Sequence, residues 1–215
     1  MSFPRRISLS AVLAGAGLLA WFAQADRLYA QSQADQTTYQ ASVRNEEFIG
    51  NTNERQVQRV YVSTGTNLFA LTVPEGFRAD ASNPRRIVLS DINYTFFLTV
   101  RFNDFRSGEA RSGQVDTCRS LALNRFPGAT IVKELMESAA GHSGPAFDLQ
   151  WKNSAGTDQS ARVAFVPSAV GVIEFDLLTR SNTFNDGRSF FSVLLASFRS
   201  NEGGKLRITP VSDKS

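Results

Sequence analysis

The sequence predicts an α+β domain, an antiparallel sheet with helices packed on its faces. Three observations carry that expectation. Several stretches alternate apolar and polar side chains with period two, the pattern of half-buried strands. Two stretches, residues 111–126 and 185–199, switch to helical spacing. Short turns rich in Gly, Pro and Asn join most neighbouring elements, which favours antiparallel pairing.

The chain opens with a segment that reads as an export signal rather than as part of the fold. Arg5 and Arg6 form a short basic region, an apolar run follows from Ile7 to Phe22, and Ala23-Gln24-Ala25 closes it. Small residues at Ala23 and Ala25 fit the A-x-A pattern of signal peptidase, so cleavage before Asp26 is expected. The alternative is an uncleaved anchor, because the apolar run approaches the shortest length that spans a bilayer. Arg5-Arg6 also raises the twin-arginine route. The signal, residues 1–25, implies a periplasmic or secreted protein with no stable membrane span after cleavage.

Residues 26–56 are rich in Gln, Asn, Ser and charge. They read as a polar flexible arm, with a weak helix around Thr37–Phe48 at most. The single folded domain is expected over residues 57–202 and a polar tail over 203–215, with a short edge strand at Leu206–Thr209.

Within the domain, Phe69, Leu71 and Val73 alternate with Ala70 and Thr72, and Pro74-Glu75-Gly76 stops that strand. Asn83-Pro84 is a turn and Arg86–Leu89 a short strand. The longest alternation runs from Ile92 to Phe102, with Ile92, Tyr94, Phe96, Leu98, Val100 and Phe102 on one face. A helix over 111–126 carries Val115, Cys118, Ala122 and Phe126 as a stripe and ends at Pro127-Gly128. Strands are predicted at Ala129–Met136, at Phe147–Lys152, at Ala161–Val166 and at Val172–Leu178. The last three form a meander through turns at Asn153–Asp158 and Pro167–Gly171. A final helix, from about Asn185 to Arg199, presents Phe190, Phe191, Leu194, Leu195 and Phe198 on one face. Asn182, Thr183 and Asn185 are its N-cap candidates, and Arg199 suits its negative C-terminal end.

Composition excludes some partners. The chain has 23 Lys and Arg against 20 Asp and Glu. Removing the two arginines of residues 1–25 leaves 21 against 20, a net charge of +1, which gives no global attraction to nucleic acid or anionic membrane. The 17 Phe sit mostly in periodic apolar segments and read as core. The only cysteine, Cys118, excludes an intramolecular disulfide and reads as a buried structural thiol. With His142 as the only histidine, a zinc site of the usual N/S type is not expected.

Two segments resemble a known family. Phe69-Ala70-Leu71-Thr72-Val73-Pro74-Glu75-Gly76-Phe77 is similar to the opening of the Mog1/PsbP-like superfamily, and Phe190-Phe191-Ser192-Val193-Leu194-Leu195-Ala196-Ser197-Phe198 to its closing helix. A helix, a Gly-rich turn at Gly141–Pro145 and a three-strand meander lie between them in the expected order. The resemblance covers roughly Thr66 to Arg199. It implies an α/β/α sandwich around an antiparallel sheet, and a binding or accessory module of the exported bacterial kind rather than an enzyme. No active-site motif accompanies it.

Candidate chemistry is sparse. Gly141-His142-Ser143-Gly144 invites a hydrolase reading, but a nucleophile elbow needs G-x-S-x-G on a strand-to-helix turn, and Pro145 stands in the last position. Asp148, Glu174 and Asp176 fall on the polar faces of strands and would bind Ca²⁺ or act as an acid/base pair if they met. The plainer reading is a solvated sheet face, or ion pairs with Lys152 and Arg162. No phosphate-binding or EF-hand loop is present. Asn93-Tyr94-Thr95 is a glycosylation sequon placed inside the longest strand. The expected function is therefore non-enzymatic binding of a protein partner in the cell envelope, without a cofactor. The alternatives are small-molecule or metal-ion binding and, last, hydrolysis.

Overall fold

A computed structural model describes residues 38–49, 54–103 and 114–201. The chain divides into two units, Met1–Thr38 and Tyr39–Ser215, and the described strands and helices belong to the second. The signal with its Ala23, Ala25 and Asp26, most of the arm before Tyr39 and the tail over 203–215 lie outside the described residues.

Strands β1 (Tyr39–Ile49) and β2 (Glu54–Thr64) pair antiparallel from Tyr39 opposite Thr64 to Ile49 opposite Glu54. The sequence reads 26–56 as a flexible arm or a weak helix around Thr37–Phe48; in its described part, residues 39–49 and 54–56 are strand instead. Val60 and Val62 are fully buried and Tyr39 nearly so, while their neighbours Arg59, Tyr61 and Ser63 are only half-buried. The alternation in β2 supplies the apolar face, and the polar β1 is recruited as its partner. The ladder pairs the backbone groups of β1 that face β2, although β1 is an edge strand with few apolar side chains of its own.

After a tight turn at Gly65, where φ is +57°, β3 (Asn67–Thr72) pairs with β2. A short β11 (Arg199–Asn201) pairs with β3 and completes a four-stranded sheet in the order β1-β2-β3-β11. A second sheet has seven antiparallel strands. These are β4 (Phe77–Asn83), β5 (Arg86–Asp91), β6 (Phe97–Asn103), β7 (Thr130–Ala139), β8 (His142–Lys152), β9 (Asp158–Ser168) and β10 (Gly171–Arg180). Their spatial order is β4-β5-β6-β10-β9-β8-β7.

The strand expected from Ile92 begins only at Phe97. The Asp91 carboxylate accepts hydrogen bonds from the backbone N–H groups of Asn93 (3.2 Å), Thr95 (2.7 Å) and Phe96 (2.7 Å). That converts 92–96 into a turn in which Tyr94 has φ of +54° and both Ile92 and Tyr94 are exposed. The sequon Asn93-Tyr94-Thr95 therefore sits on a surface turn, not in a strand. From Leu98 onward the alternation holds, with Leu98, Val100 and Phe102 buried.

The two helices differ in kind. α1 (Val115–Arg125) buries only Cys118 and Ala122; Val115 is exposed and Phe126, at the C-cap, is half-buried with its ring 5.0 Å from that of Trp151. α2 (Phe184–Ser197) follows a single 3₁₀ turn and buries Gly187, Phe191, Leu194 and Leu195. Each fully buried Phe or Leu is worth on the order of 1.5–3 kcal/mol over its exposed state, so α2 is a principal contributor to the core. Thr183 is the N-cap of α2, but its hydroxyl turns back to the Arg180 carbonyl (3.1 Å) instead of capping the helix. Arg199 falls beyond the helix, in β11, and still donates to the Ala196 and Phe198 carbonyls at 2.5 and 2.8 Å.

Two apolar clusters result. The larger joins one face of the seven-stranded sheet (Leu98, Val100, Phe175, Leu177) to α2 and to the four-stranded sheet through Phe69, Leu71, Phe191 and Phe198. The smaller lies on the opposite face, where Phe147, Leu149, Ala161, Val163, Phe165 and Val172 meet Cys118 and Ala122 of α1. The fold is thus strand-dominated, with two helices and two antiparallel sheets.

Candidate functional site

Of the three acids singled out in the sequence, Glu174 and Asp176 share one face of the sheet and Asp148 lies on the other. Side chains of adjacent strand residues point to opposite faces. Asp148 stands opposite Arg162, and Arg162 opposite Leu177, so Asp148 belongs to the α2 side. Glu174 and Asp176 stand opposite Phe165 and Val163, on the α1 side. All three are buried, because both faces of the large sheet are covered; the expected solvated face does not exist here.

On the α2 side, Arg162 donates from Nε and Nη2 to the two oxygens of Asp148, at 2.6 and 2.8 Å, and from Nη1 to Glu137 at 2.9 Å. Arg162 is 3% exposed. Burial works against its charge, but the Asp148 and Glu137 carboxylates outweigh it and hold the guanidinium above its usual range. Lys152, the other partner considered for these acids, pairs instead with Asp158 at 3.1 Å.

On the α1 side, Glu174 receives three donors. Arg125 of α1 binds it bidentately, Nε to Oε1 at 2.8 Å and Nη2 to Oε2 at 3.0 Å. Arg101 Nη1 reaches Oε1 at 3.1 Å and Asn103 Nδ2 reaches Oε2 at 3.0 Å. Arg101 also touches Asp176, whose oxygens have no hydrogen-bond donor of good geometry among the described residues. Burial draws Arg101 below the ordinary guanidinium value, and Glu174 opposes the drop. These groups neutralise one another and tie α1 to the sheet. Cys118 lies beside them at 1% exposure; burial, then the nearby Glu174 charge, pushes its thiol up to about 11.

The Gly141–Pro145 motif is a β-hairpin. Ala140 and Gly141, with φ of +50° and +83°, make the two-residue turn between β7 and β8, and Ala139 stands opposite His142. The Ser143 hydroxyl lies 2.6 Å from that of Ser138. Gly144 is there for packing, since a Cβ at that position would overlap the Phe165 carbonyl oxygen. The strand-to-helix turn that a nucleophile elbow requires is not formed. Among the described residues, no group of three or more His, Cys, Asp or Glu side chains is placed to hold a metal ion, and no helix is long and apolar enough to cross a membrane.

One arrangement with room for a ligand was not found from the sequence. It lies on the face of the β1–β2 hairpin turned away from the core. Glu46 accepts from Arg59 Nη1 (3.0 Å) and from the Tyr61 hydroxyl, and Arg44 sits 5.3 Å from the centre of the Tyr61 ring. Burial, then the Glu46 carboxylate, raises the Tyr61 phenol above its usual value. With Gln40, Ser42, Ser63 and Leu68 these residues line a concavity of about 570 Å³. The only sequence signal was a period-two run of polar residues at Gln40, Ser42, Arg44 and Glu46, inside the segment read as an arm.

No family model matches the chain, and no curated protein does. Several solved structures are similar to it. A Bacteroides thetaiotaomicron protein matches 62% of this chain at 8% identity with a TM-score of 0.41, and the chain spans only 45% of that protein's length. LpqN of Mycobacterium tuberculosis, described as involved in cell envelope biogenesis, matches 75% of this chain and 92% of its own at 12% identity and a TM-score of 0.45. A cyanobacterial PsbP (CyanoP) from Synechocystis sp. PCC 6803 matches 72% of this chain and 98% of its own at 15% identity and a TM-score of 0.45.

Proposed function

We propose that this chain is an exported accessory module of the PsbP-like kind, periplasmic or secreted, that acts without catalysis by binding a protein partner in the cell envelope. The seven-stranded sheet with a helix on each face corresponds, in this reading, to the α/β/α sandwich of that superfamily, and the four-stranded sheet presents the binding face. The observation that carries the reading is the polar concavity around Arg44, Glu46 and Tyr61. It combines an aromatic ring, an arginine and hydrogen-bonding groups on a paired set of strands, a composition favoured at protein interfaces. The buried acids, by contrast, are committed to internal ion pairs.

The test is affinity capture with the full chain against its own envelope fraction. A specific partner should be recovered, and Arg44→Ala should abolish recovery while leaving the urea midpoint unchanged. A partner retained equally by Arg44→Ala would remove this face from the proposal, and failure to recover any partner would count against a docking role. A second reading, small-molecule binding, rests on the same cavity, whose size lies within the roughly 300–1,000 Å³ of ligand pockets. A thermal-shift screen in which no compound raises the melting temperature would count against it.

A further inference from the structure

The two helices are held by different physics. α2 is seated by Phe191, Leu194 and Leu195, all buried, with Phe190 and Phe198 beside them. α1 buries only two small residues, Cys118 and Ala122, with Leu121 and Phe126 half-covered. Its remaining attachments are two ionic clamps about two turns apart. Arg119 donates from Nε and Nη2 to the Glu134 carboxylate of β7, at 2.9 and 3.0 Å, and also pairs with Asp116 on its own first turn. Arg125 grips Glu174 of β10 bidentately. Both arginines are more than a third exposed, so water stands ready to replace the carboxylates as partner.

The surface beneath α1 is complete without it. Phe147, Leu149, Val163 and Phe165 come from β8 and β9, which sit inside a continuous ladder between β7 and β10. Lifting α1 therefore breaks no strand pairing. We propose that α1 is a hinged cover on the large sheet: it opens as a unit while both sheets and α2 stay folded, and the Arg119–Glu134 and Arg125–Glu174 clamps set how often it does so. Opening bares the apolar side of β8 and β9, including Trp151, which is otherwise packed on Phe126. Local opening of this kind is drawn from elements with few apolar contacts and exposed polar attachments, and α1 has both.

Cys118 makes the motion measurable, because it is the only thiol in the chain and lies on the buried face of α1, against the sheet. The experiment is reaction of the full chain with an aromatic disulfide thiol reagent in native buffer, with the released thiolate read by absorbance. Three results are expected. Labelling depends more weakly on urea, below the unfolding transition, than global unfolding does. Arg125→Gln, which strips a donor pair from the buried Glu174, speeds labelling about tenfold, and Arg119→Gln, at an exposed pair, about two- to threefold. And 1 M NaCl speeds the wild-type chain more than the double variant. The proposal is overturned if labelling tracks global unfolding with the same urea slope, or if neither variant changes the rate. Both substitutions are at exposed ends of the clamps and leave Glu174 its Arg101 and Asn103 donors, so the variants are expected to fold.

Discussion

Arg162 and Asp148 face each other across β8 and β9 in a bidentate pair, 2.6 and 2.8 Å, with the arginine 3% and the aspartate 5% exposed. A pair so deeply buried adds little net stability over well-packed apolar side chains, because desolvating both charges offsets their attraction. Its removal from one side only is another matter.

Asp148→Asn should therefore destabilise the protein by about 3–5 kcal/mol, since it leaves the guanidinium buried with Glu137 as its one remaining carboxylate. The urea midpoint should fall with the slope unchanged. The double variant Asp148→Leu/Arg162→Met should recover most of the loss. A double variant as unstable as the single one would mean that the pair itself stabilises the fold.

The two glycines of the β7–β8 hairpin should respond differently to alanine. At Gly141 nothing crowds the new Cβ, and only the positive φ opposes it, so Gly141→Ala should cost about 1 kcal/mol. At Gly144 the Cβ would overlap the Phe165 carbonyl oxygen, and separating β8 from β9 there opens the sheet between its two cores. Gly144→Ala should cost about 3 kcal/mol or more, or prevent folding. Thermal melts followed by circular dichroism would rank the two, and equal losses would contradict the packing role.

Much of this fold was legible because β8, β9, β10 and α2 advertise themselves locally. Phe147, Leu149 and Trp151 alternate in one strand, and Phe191, Leu194 and Leu195 share one helix face. What was not legible depends on partners distant in the chain. β1 has no strong apolar pattern and becomes a strand because β2 offers it a ladder. The burial of Glu174 and Asp176 follows from α1 crossing a sheet face that the strand pattern alone marks as polar. The separation of Asp148 from Glu174 required the register between β8, β9 and β10. The same dependence on register hid the Arg44–Glu46–Tyr61 concavity, whose members meet only when the hairpin closes.

The turn that shortened β6 rests on one side chain. Asp91→Ala removes the acceptor for three backbone N–H groups and should cost about 1–2 kcal/mol, the range of a lost capping interaction. Asp91→Asn, which keeps an acceptor oxygen, should recover at least half of that. Hydrogen exchange at Thr95 and Phe96 should accelerate in the alanine variant and not at the β8–β9 ladder; an unchanged rate would show that these amides do not depend on Asp91.

Cys118 should make the protein sensitive to alkali. Its thiol is held neutral between α1 and the sheet, with its ionisation pushed from an ordinary value of 9.0 up to about 11 by burial and by the nearby Glu174 charge. In the unfolded chain it ionises near the ordinary value, so the unfolded state releases its proton first as pH rises. The stabilisation from the buried neutral thiol is complete below about pH 9 and is lost progressively toward pH 11, on the order of 2–3 kcal/mol across the window. Tyrosines and lysines titrate there too, so the decisive quantity is the difference from Cys118→Ala, in which their contribution is common to both proteins. The variant should start less stable at pH 8, by the loss of a buried sulfur, and its urea midpoint should fall less steeply above pH 9. Parallel pH profiles would mean that the thiol ionises in the folded protein as it does in the unfolded one, and that α1 does not keep it dry.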